Sequence, residues 1–272
     1  MPGAFEPKML PLRRWLGTQS RLRRGEVHVI LVRLPPPGRC PGIPPVLDAE
    51  ERRRRRRFVF APDRDRFALS HAVLRFVLGR YLGRRAATVQ FARRADPQER
   101  PSLLPGARLR LRFSLSHARE FAAVAVACAG PIGIDVETAG RSLDSLAIAE
   151  RHFAVAEAAE IARKDGKARE LGFLDLWTAK EAILKALGVG LAHPLSDVVI
   201  GVDPRGWPRL RQIKGGNFTH RRFALYSLHP RSPVSASLSV AVAAGSRRVV
   251  FWAGDAVQIV RAADRKRPLT SE

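Results

Sequence analysis

The sequence predicts an α+β protein, and three observations lead to this fold class. Helix-forming stretches alternate with clusters of strand-like stretches along the chain. An apolar fraction of 46% is normal for a globular protein with a proper core. A length of 272 residues, without a visible repeat of fixed period, allows one large domain or two small ones.

The N-terminal part contains one predicted strand and one predicted helix. Residues 1–25 are basic and lack a clear period, so we expect a poorly ordered extension. Residues 27–32 are apolar and β-branched, which predicts a buried strand, and a proline-rich connector follows at residues 35–45. Residues 63–83 repeat apolar side chains near helical spacing behind Asp63, which can cap a helix.

Six consecutive arginines, residues 52–57, precede this helix. Such a run is usually a solvated helix face or a mobile arm, and the functional alternative is a patch that binds anions. Arg66 lies in the first turn of the predicted helix, where the helix dipole disfavours a cation. It is therefore either a solvent-facing side chain or a ligand for an anion.

The middle of the chain is rich in strand-like stretches. The predicted strands are residues 86–93, 109–115, 121–128 and 132–136. Ser116 and His117 fall in the predicted turn between the second and third of these strands. Asp135 and Glu137 lie two apart at the end of the fourth strand, so both carboxylates point to one face. They are either exposed acids or, because like charges so close need a cation, ligands for Mg²⁺.

The C-terminal part alternates between helix and strand patterns. Residues 143–163 and 170–187 are predicted helices, and Gly188 ends the second. This second helix carries Trp177, Glu181 and Lys185 on one face, beside an apolar stripe. The pair of charges is either an ordinary surface ion pair or part of a site. Further predicted strands are residues 197–202, 207–213, 221–228, 236–243 and 249–253, followed by a basic tail.

The charge balance restricts the partners. The chain has 48 Lys+Arg against 25 Asp+Glu, a net charge of +23, which favours nucleic acid, phosphorylated small molecules or an acidic protein. Two cysteines support neither a disulfide framework nor a zinc site. We find no signal-peptide pattern, and the longest apolar run is too short to span a bilayer, so we expect a cytoplasmic protein.

Two motifs together resemble the 4′-phosphopantetheinyl transferases, specifically the larger, single-chain Sfp type. They are Gly133-Ile134-Asp135-Val136-Glu137 and Trp177-Thr178-Ala179-Lys180-Glu181-Ala182-Ile183-Leu184-Lys185, in the family's order and at about its separation. Further matches are Phe113-Ser114-Leu115-Ser116-His117 and, more loosely, Asp65-Arg66 with the helix after it. The likeness covers residues 27–245.

The resemblance implies a pseudo-twofold pair of similar α+β halves with the active site in the cleft between them. It divides the chain into a basic N-terminal extension, an N-terminal half, a C-terminal half with the metal and catalytic motifs, and a basic C-terminal tail. The corresponding ranges are residues 1–26, 27–130, 131–245 and 246–272.

The resemblance also implies a reaction. Members transfer the phosphopantetheine arm of coenzyme A to a serine of an acyl or peptidyl carrier protein, and adenosine 3′,5′-bisphosphate is the other product. The implied cofactor is Mg²⁺, with Mn²⁺ as an alternative. The implied partners are coenzyme A and an acidic apo carrier protein, and we expect a monomer without membrane or nucleic-acid partners.

Specific residues of this chain match the family's site. By resemblance, Asp135, Glu137 and Glu181 bind the metal. Glu181, directly or through a metal-bound water, is the base, and Lys185 neutralises or protonates the leaving phosphate. The implied ligands of coenzyme A are Arg66, Arg100, Ser116, His117, Lys180 and Lys185. Arg100 belongs to Glu99-Arg100-Pro101, which stands where the family often has Gly-Lys-Pro.

Two other classes of function compete with this one. The charge, the paired carboxylates and the triplet Asp165-Gly166-Lys167 permit a metal-dependent nucleic-acid enzyme. The sequence nevertheless lacks a helix-turn-helix, zinc-finger or RNA-binding aromatic signature. The second alternative is a non-catalytic protein that binds coenzyme A or a carrier protein, which the intact set of acids and lysine disfavours.

Overall fold

The computed structural model of the chain describes residues 9–18, 21–39, 42–43, 45–92, 101–104, 111–139, 144–189, 193–204, 207–215, 218, 223–246 and 248–264. In chain order its elements are β1 (Met9–Pro11), α1 (Leu12–Gly17), β2 (Glu26–Arg33), α2 (Ala49–Arg56), α3 (Ala61–Leu82), β3 (Arg112–His117), β4 (Phe121–Ala127), β5 (Ile132–Thr138), α4 (Ser145–His152), α5 (Val155–Ala162), α6 (Gly166–Leu187), β6 (Val198–Val202), β7 (Pro208–Ile213), β8 (Phe223–Leu228), β9 (Ala236–Ala243), β10 (Arg248–Asp255) and α7 (Ala256–Asp264).

The described strands form two main sheets and one hairpin. The strand order is β1-β10-β2-β4-β3 in the first sheet and β5-β9-β8 in the second, while β6 pairs with β7. The two main sheets contain units with the same order of elements, namely a strand, a 22-residue helix and two further strands. The first unit consists of β2, α3, β3 and β4, and the second of β5, α6, β8 and β9. In each unit the last strand pairs antiparallel between the other two. The α+β class and the pair of similar halves are therefore confirmed.

Three apolar clusters hold these layers together. One cluster joins α3 to β2 and β4 through residues such as Val77, Ile30 and Val124. A second joins α6 to β8 and β9, and a third lies between strands of the two sheets. Alternate residues of β2 enter the first and third clusters, because successive side chains of a strand point to opposite faces.

The terminal segments are part of the first sheet. Strand β10 pairs in parallel with both β1 and β2. Trp15 of α1 is buried and donates a hydrogen bond from Nε1 to Tyr81 Oη over 3.1 Å. Ile259 of α7 belongs to the cluster around α3. The expectation of a poorly ordered N-terminal extension is therefore wrong for its described residues, whereas the predicted strand at residues 249–253 lies within β10. The first half is not contiguous in sequence, because it includes this C-terminal strand.

The arginine run lies in helix α2 and its C-cap. The helix begins with a capping box, in which Asp48 Oδ1 accepts from the amide of Glu51 over 2.9 Å and Glu51 Oε2 accepts from the amide of Asp48 over 3.0 Å. Glu51 also accepts hydrogen bonds from His71 Nδ1 over 2.8 Å and Arg75 Nε over 2.6 Å, both on α3. The run is thus a docked helix rather than a mobile arm.

Several local predictions differ from the structure. The described part of the predicted helix at residues 143–163 forms two helices, α4 and α5, because Phe153 leaves helical geometry and stacks on Phe173 with ring centroids 5.5 Å apart. Residues 86–93 contain the short 3₁₀ helix Ala86–Thr88 and a single bridge instead of a strand. In the described part of the chain, no helix combines the length and apolarity needed to cross a membrane.

Candidate active site

Helix α6 lies directly against strand β5 at Gly133. A Cβ atom at this position would lie 2.0 Å from the carbonyl oxygen of Ala182 and 2.5 Å from the amide nitrogen of Ala186. Only glycine permits this approach. Since Asp135 and Glu137 follow Gly133 at intervals of two, they share its face of the sheet, under the helix. The glycine of the motif therefore positions both carboxylates.

Helix α6 is held at its end and in its middle. Gly188 ends it with φ +83°, in the left-handed region, and its amide donates to the carbonyl of Leu184 over 3.0 Å. Trp177 packs against Phe173 and Phe153, with ring centroids 5.7 and 6.3 Å away. Trp177 is thus a packing residue, while Glu181 on the same helix faces the carboxylates of β5.

A hydrogen-bonded cluster of three residues joins the two halves. Lys185 Nζ donates to Asp135 Oδ1 over 2.6 Å and to Ser116 Oγ over 3.1 Å. Ser116 Oγ donates to the same carboxylate oxygen over 2.7 Å. Ser116 lies in β3, not in the predicted turn, so the cluster links a strand of the first half to β5 and α6. The two motifs and the Ser-His motif thus meet, as the resemblance implied.

Two further carboxylates adjoin this cluster. The pKa of Glu181 is raised to about 7, chiefly by burial and secondly by the charge of Asp135, while Lys185 opposes the shift. The pKa of Glu137 is also raised to about 7, chiefly by burial, next by the charge of Asp135 and to a smaller extent by Glu181. The three acids therefore lie close enough to repel one another. Groups perturbed in this way are typical of functional sites.

The chemistry of this donor set fits a hard cation. Asp135 Oδ2 and Glu181 Oε1 are buried and lack a hydrogen-bond partner among the described residues. Oxygen atoms of carboxylates are the ligands that Mg²⁺ prefers. Within the described ranges, however, no three His, Cys, Asp or Glu side chains form a complete metal-binding group. The acids therefore lie close together without forming a complete metal site, and Lys185 forms an ion pair with one oxygen of Asp135.

Positive side chains surround His117 at the end of β3. The pKa of His117 is lowered to about 4, chiefly by burial and secondly by the charges of His71, Lys185 and Arg66. The imidazole is therefore neutral at pH 7. Arg66 is held by Asp63, whose Oδ1 accepts from Nη1 over 2.7 Å. The predicted phosphate ligands His117, Arg66 and Lys185 thus lie in one electropositive region.

His71 is a candidate that the sequence analysis missed. Its Nδ1 is held by Glu51, which is in turn paired with the fully buried Arg75. The effect of His71 on the pKa of His117 places the two rings in one neighbourhood. No sequence motif marks His71, because its orientation depends on α2 docking against α3.

Lys180 lies away from the cluster. Its side chain is 0% exposed, and its Nζ contacts Glu157 Oε2 at 2.6 Å and the carbonyl of Leu195 at 3.0 Å. Successive residues of a helix point about 100° apart, so Glu181 and Lys180 face different surroundings. This position is inconsistent with the predicted contact to coenzyme A, and we remove Lys180 from the site. Arg100 lies outside the described residues.

The Asp165-Gly166-Lys167 triplet is far from the acids. It begins helix α6, and Asp165 is 96% exposed in a pair with Arg169. Glu181 lies sixteen residues further along this helix, which corresponds to about 24 Å at the helical rise. The triplet and the carboxylate cluster therefore do not form one site.

A cavity opens where the halves meet. Its volume is about 430 Å³, and both halves line it, with Pro101, Ser102 and Phe113 from the first and Pro131, Ala186 and Gly188 from the second. Lys185, Ser116 and Asp135 are not among its lining residues, so this cavity is separate from the cluster.

The fold and this cluster define the class: an α+β protein whose acids and lysine meet between two similar halves. Residues 131–243 match the profile of the ACPS family, the 4′-phosphopantetheinyl transferase superfamily. The chain is 31% identical over 244 residues to 4′-phosphopantetheinyl transferase HetI of Nostoc sp., which covers 88% of this chain and 97% of HetI. The chain therefore belongs to the 4′-phosphopantetheinyl transferase superfamily, as its motifs predicted, and is an enzyme of that family.

Two further relatives match this chain over a shorter length, and one solved structure shows a weak likeness. Putative 4′-phosphopantetheinyl transferase slr0495 of Synechocystis sp. is 32% identical over 159 residues, which cover 58% of this chain and 64% of that protein. Sfp of Bacillus subtilis is 29% identical over 163 residues, which cover 59% of this chain and 68% of Sfp. A holo-(acyl-carrier-protein) synthase from Bacillus anthracis, solved in complex with CoA (3′,5′-ADP), superposes with a TM-score of 0.30 at 20% identity, covering 42% of this chain and 96% of that one.

Proposed function

We infer that this chain transfers the 4′-phosphopantetheine arm of coenzyme A to a serine of an acyl or peptidyl carrier protein, in a Mg²⁺-dependent reaction. Adenosine 3′,5′-bisphosphate is the other product. The observation that carries this proposal is the buried cluster of Asp135, Glu137, Glu181 and Lys185 at the meeting of the halves, in a member of this superfamily.

Glu181 is the proposed base. A bond forms between the serine oxygen and the β-phosphorus, while the bond from that phosphorus to the oxygen bridging the two phosphates breaks. The serine proton passes to Glu181, directly or through a water. A pKa of about 7 suits this task, because a base titrating near the working pH is both available and strong enough.

Lys185 is proposed to stabilise the leaving group. The electron pair of the broken bond stays on the departing bisphosphate, whose added negative charge needs a partner. Lys185 Nζ already lies between Asp135 and Ser116, and its side chain is partly open to solvent. An ammonium there can approach an incoming phosphate without leaving the cluster.

Ser116, His117, Arg66 and, outside the described residues, Arg100 remain the proposed phosphate ligands of coenzyme A. The neutral His117 can donate one hydrogen bond, and Arg66 can form two parallel ones. His71 adds a second imidazole beside them. The excess of positive charge in this region supports an anionic ligand rather than a neutral one.

Asp135, Glu137 and Glu181 are the residues that would hold Mg²⁺. When bound, the ion neutralises the charge of a pyrophosphate group. The two unpartnered carboxylate oxygens and the raised pKa values of both glutamates support this assignment, because a cation would relieve the repulsion that they report.

The test is intact-mass spectrometry of apo carrier proteins incubated with this protein, coenzyme A and Mg²⁺. We expect the carrier to gain the mass of one phosphopantetheine arm, and EDTA to prevent the gain. Fatty-acid, polyketide, nonribosomal-peptide and aminoadipate-reductase carriers should be tried in parallel, since the site does not distinguish them.

Binding measurements with coenzyme A and with nucleic acid, made beside the transfer assay, distinguish the competing functions. Binding of coenzyme A without transfer to any carrier would indicate a non-catalytic binding protein. Salt-sensitive binding of nucleic acid without binding of coenzyme A would favour the nucleic-acid enzyme. Either result would contradict the proposed reaction.

A further inference from the structure

Strand β9 carries two serines opposite the two carboxylates of β5. In the antiparallel register Ser239 pairs with Asp135, and Ser237 pairs with Glu137. Residues paired in this way project from the same face, with Cβ atoms about 4.5–5.5 Å apart. Both serines are 0% exposed. They are the nearest neutral donors to the carboxylates on this sheet, yet their recorded hydrogen bonds lead elsewhere.

The hydroxyl groups form a continuous chain from β8 to α6. Ser227 Oγ lies 2.8 Å from Ser239 Oγ, which lies 3.0 Å from Thr178 Oγ1. Thr178 Oγ1 lies 3.2 Å from Ser237 Oγ. Ser237 Oγ donates to Asp175 Oδ1 over 2.6 Å. The chain therefore begins and ends outside the carboxylate cluster while passing beside it.

Asp175 determines which way the protons point. A carboxylate only accepts, and His229 Nε2, 2.9 Å away, donates to the same carboxylate oxygen. Ser237 gives its single proton to Asp175, so Thr178 gives its own proton either to Ser237 Oγ or to the backbone carbonyl of Asp175, 3.4 Å away. By the same reasoning Ser239 donates to Thr178, and Ser227 donates to Ser239. All four hydroxyl protons then point along the chain toward Asp175.

This direction leaves the catalytic acids without donors from β9. Asp135 receives its side-chain hydrogen bonds from Ser116 and Lys185, and its Oδ2 has no partner in the described part of the protein. If Ser239 were released from Thr178, its hydroxyl would be free to turn toward Asp135.

We propose that Thr178 is a positioning residue of the transfer reaction. Its hydroxyl contacts Ser239 and Ser237 and thereby holds helix α6 against β9. This contact keeps Glu181 beside Asp135. It also keeps the two serine hydroxyls from donating to Asp135 and Glu137. Glu181 follows Thr178 by three residues, one turn along the same face of the helix. This inference rests on the proposed function, because it concerns the placement of its base.

The test compares Thr178→Val, which removes the hydroxyl at nearly constant shape, with Thr178→Ser, which keeps it. We expect Thr178→Val to lower kcat roughly fivefold, the size expected when one buried hydrogen bond of about 1 kcal/mol is lost in the transition state. KM for coenzyme A should change less than about twofold, because the hydroxyl does not touch that ligand. Thr178→Ser should restore most of kcat.

The split between kcat and KM, together with the rescue by Thr178→Ser, separates positioning from a general loss of structure. Thr138→Val is the matched control, since Thr138 lies on the opposite face of β5 and its buried hydroxyl has no partner among the described residues. That control should keep kcat.

Ser239→Ala provides a second route if Thr178→Val does not fold, because it interrupts the chain from the strand side. We expect the same fall in kcat with unchanged KM for coenzyme A. Full activity in a folded Thr178→Val or Ser239→Ala protein would overturn the inference alone. Loss of activity in Thr178→Ser equal to that in Thr178→Val would also overturn it. A wild-type protein without transfer activity would overturn both the inference and the proposed function.

Discussion

At the scale of single residues, the site concentrates charges that burial disfavours. Glu137 and Glu181 have pKa values of about 7, well above the ordinary value of 4.5, chiefly because they are buried and secondly because Asp135 is charged. The folded protein therefore carries a strain of like charges at neutral pH. A bound cation would relieve this repulsion. In the metal-free protein the repulsion has a measurable effect on stability.

Glu181→Gln should abolish transfer while stabilising the metal-free protein at high pH. Between about pH 4.5 and 7 the native state keeps a proton that the unfolded state releases, so this group's contribution to stability falls as pH rises. Glutamine cannot ionise. In EDTA, the Tm of Glu181→Gln minus that of wild type should thus be larger at about pH 8 than at about pH 5.

The matched control for this variant is Glu160→Gln, at an exposed glutamate paired with Arg163 on α5. It should leave both transfer and the pH dependence of Tm unchanged. Near-normal turnover by Glu181→Gln would remove Glu181 from the mechanism, and an equal Tm difference at both pH values would contradict the raised pKa.

His117→Ala should weaken the binding of coenzyme A more than it slows the bound complex. Loss of one hydrogen bond to a charged phosphate corresponds to roughly a tenfold or larger rise in Kd. Calorimetric titration of coenzyme A measures the binding, and single-turnover kinetics measures the bound complex. His152→Ala, at an exposed histidine of α4, is the control and should change neither quantity. A defect in turnover with unchanged affinity would exclude this role.

At the scale of elements, helix α6 organises the C-terminal half. One face of it meets β5 at Gly133, and the deeply buried Lys180 joins it to Glu157 of α5. Glu157 also accepts from the amide of Ile200 over 2.6 Å, so the same pair reaches strand β6. The helix thus brings the site residues to the sheet on one side and supports the surrounding structure on another.

Gly133→Ala should displace α6 and impair transfer. The added Cβ would lie 2.0 Å from a backbone oxygen, and a backbone atom cannot turn aside as a flexible side chain can. We expect a loss of roughly 1–3 kcal/mol in the free energy of unfolding, measured by urea denaturation, together with a fall in kcat. Gly17→Ala, where a Cβ would meet nothing within 4 Å, should change neither. Wild-type activity in Gly133→Ala would show that the contact is not needed.

Lys180→Met should destabilise the fold without changing the affinity of the folded protein for coenzyme A. Removing one partner leaves the Glu157 carboxylate buried and uncompensated, which costs about 3–5 kcal/mol. The double variant Lys180→Met/Glu157→Leu should recover part of that loss, because no buried charge then remains. Denaturation with urea compares the three proteins. Weaker coenzyme A binding by the folded Lys180→Met protein would return Lys180 to the ligand site.

At the scale of the whole molecule, the two ends of the chain complete the first sheet. Strand β10 lies between β1 and β2 and pairs in parallel with both. The chain therefore passes from the first half to the second and then returns. This return gives the halves a second covalent connection, and β10 is held in the first sheet by hydrogen bonds to both neighbouring strands.

Truncation after residue 247 should prevent folding of the first half. It removes an interior strand together with Phe251 and Ile259, which are buried in two different core clusters. Circular dichroism and the recovered soluble fraction measure the effect. Truncation after residue 264 is the control and should retain the fold. A folded, active protein ending at residue 247 would show that this segment is dispensable.

Much of the fold and of the site could be predicted from local sequence. The alternating and periodic apolar patterns marked β2, α3, β4 and α6, because each buries a continuous face. The spacing of Asp135 and Glu137 placed both carboxylates on one side of a strand. The two motifs together were specific enough to indicate the superfamily, which the relatives confirm. Fold class, family and the principal acidic residues could therefore be predicted from short stretches of the chain.

Only the tertiary structure decided which polar residues serve the site and which serve the core. Lys180 and Glu181 are neighbours in one motif, yet one is buried against α5 and the other faces the acids of β5. Thr178 and the serines of β9 form their chain only through strand register and helix docking, which local patterns do not reveal. The strand at the end of the chain likewise depends on parallel pairing with residues more than 200 positions away. Local propensity determines elements, whereas contacts distant in sequence determine what each side chain meets.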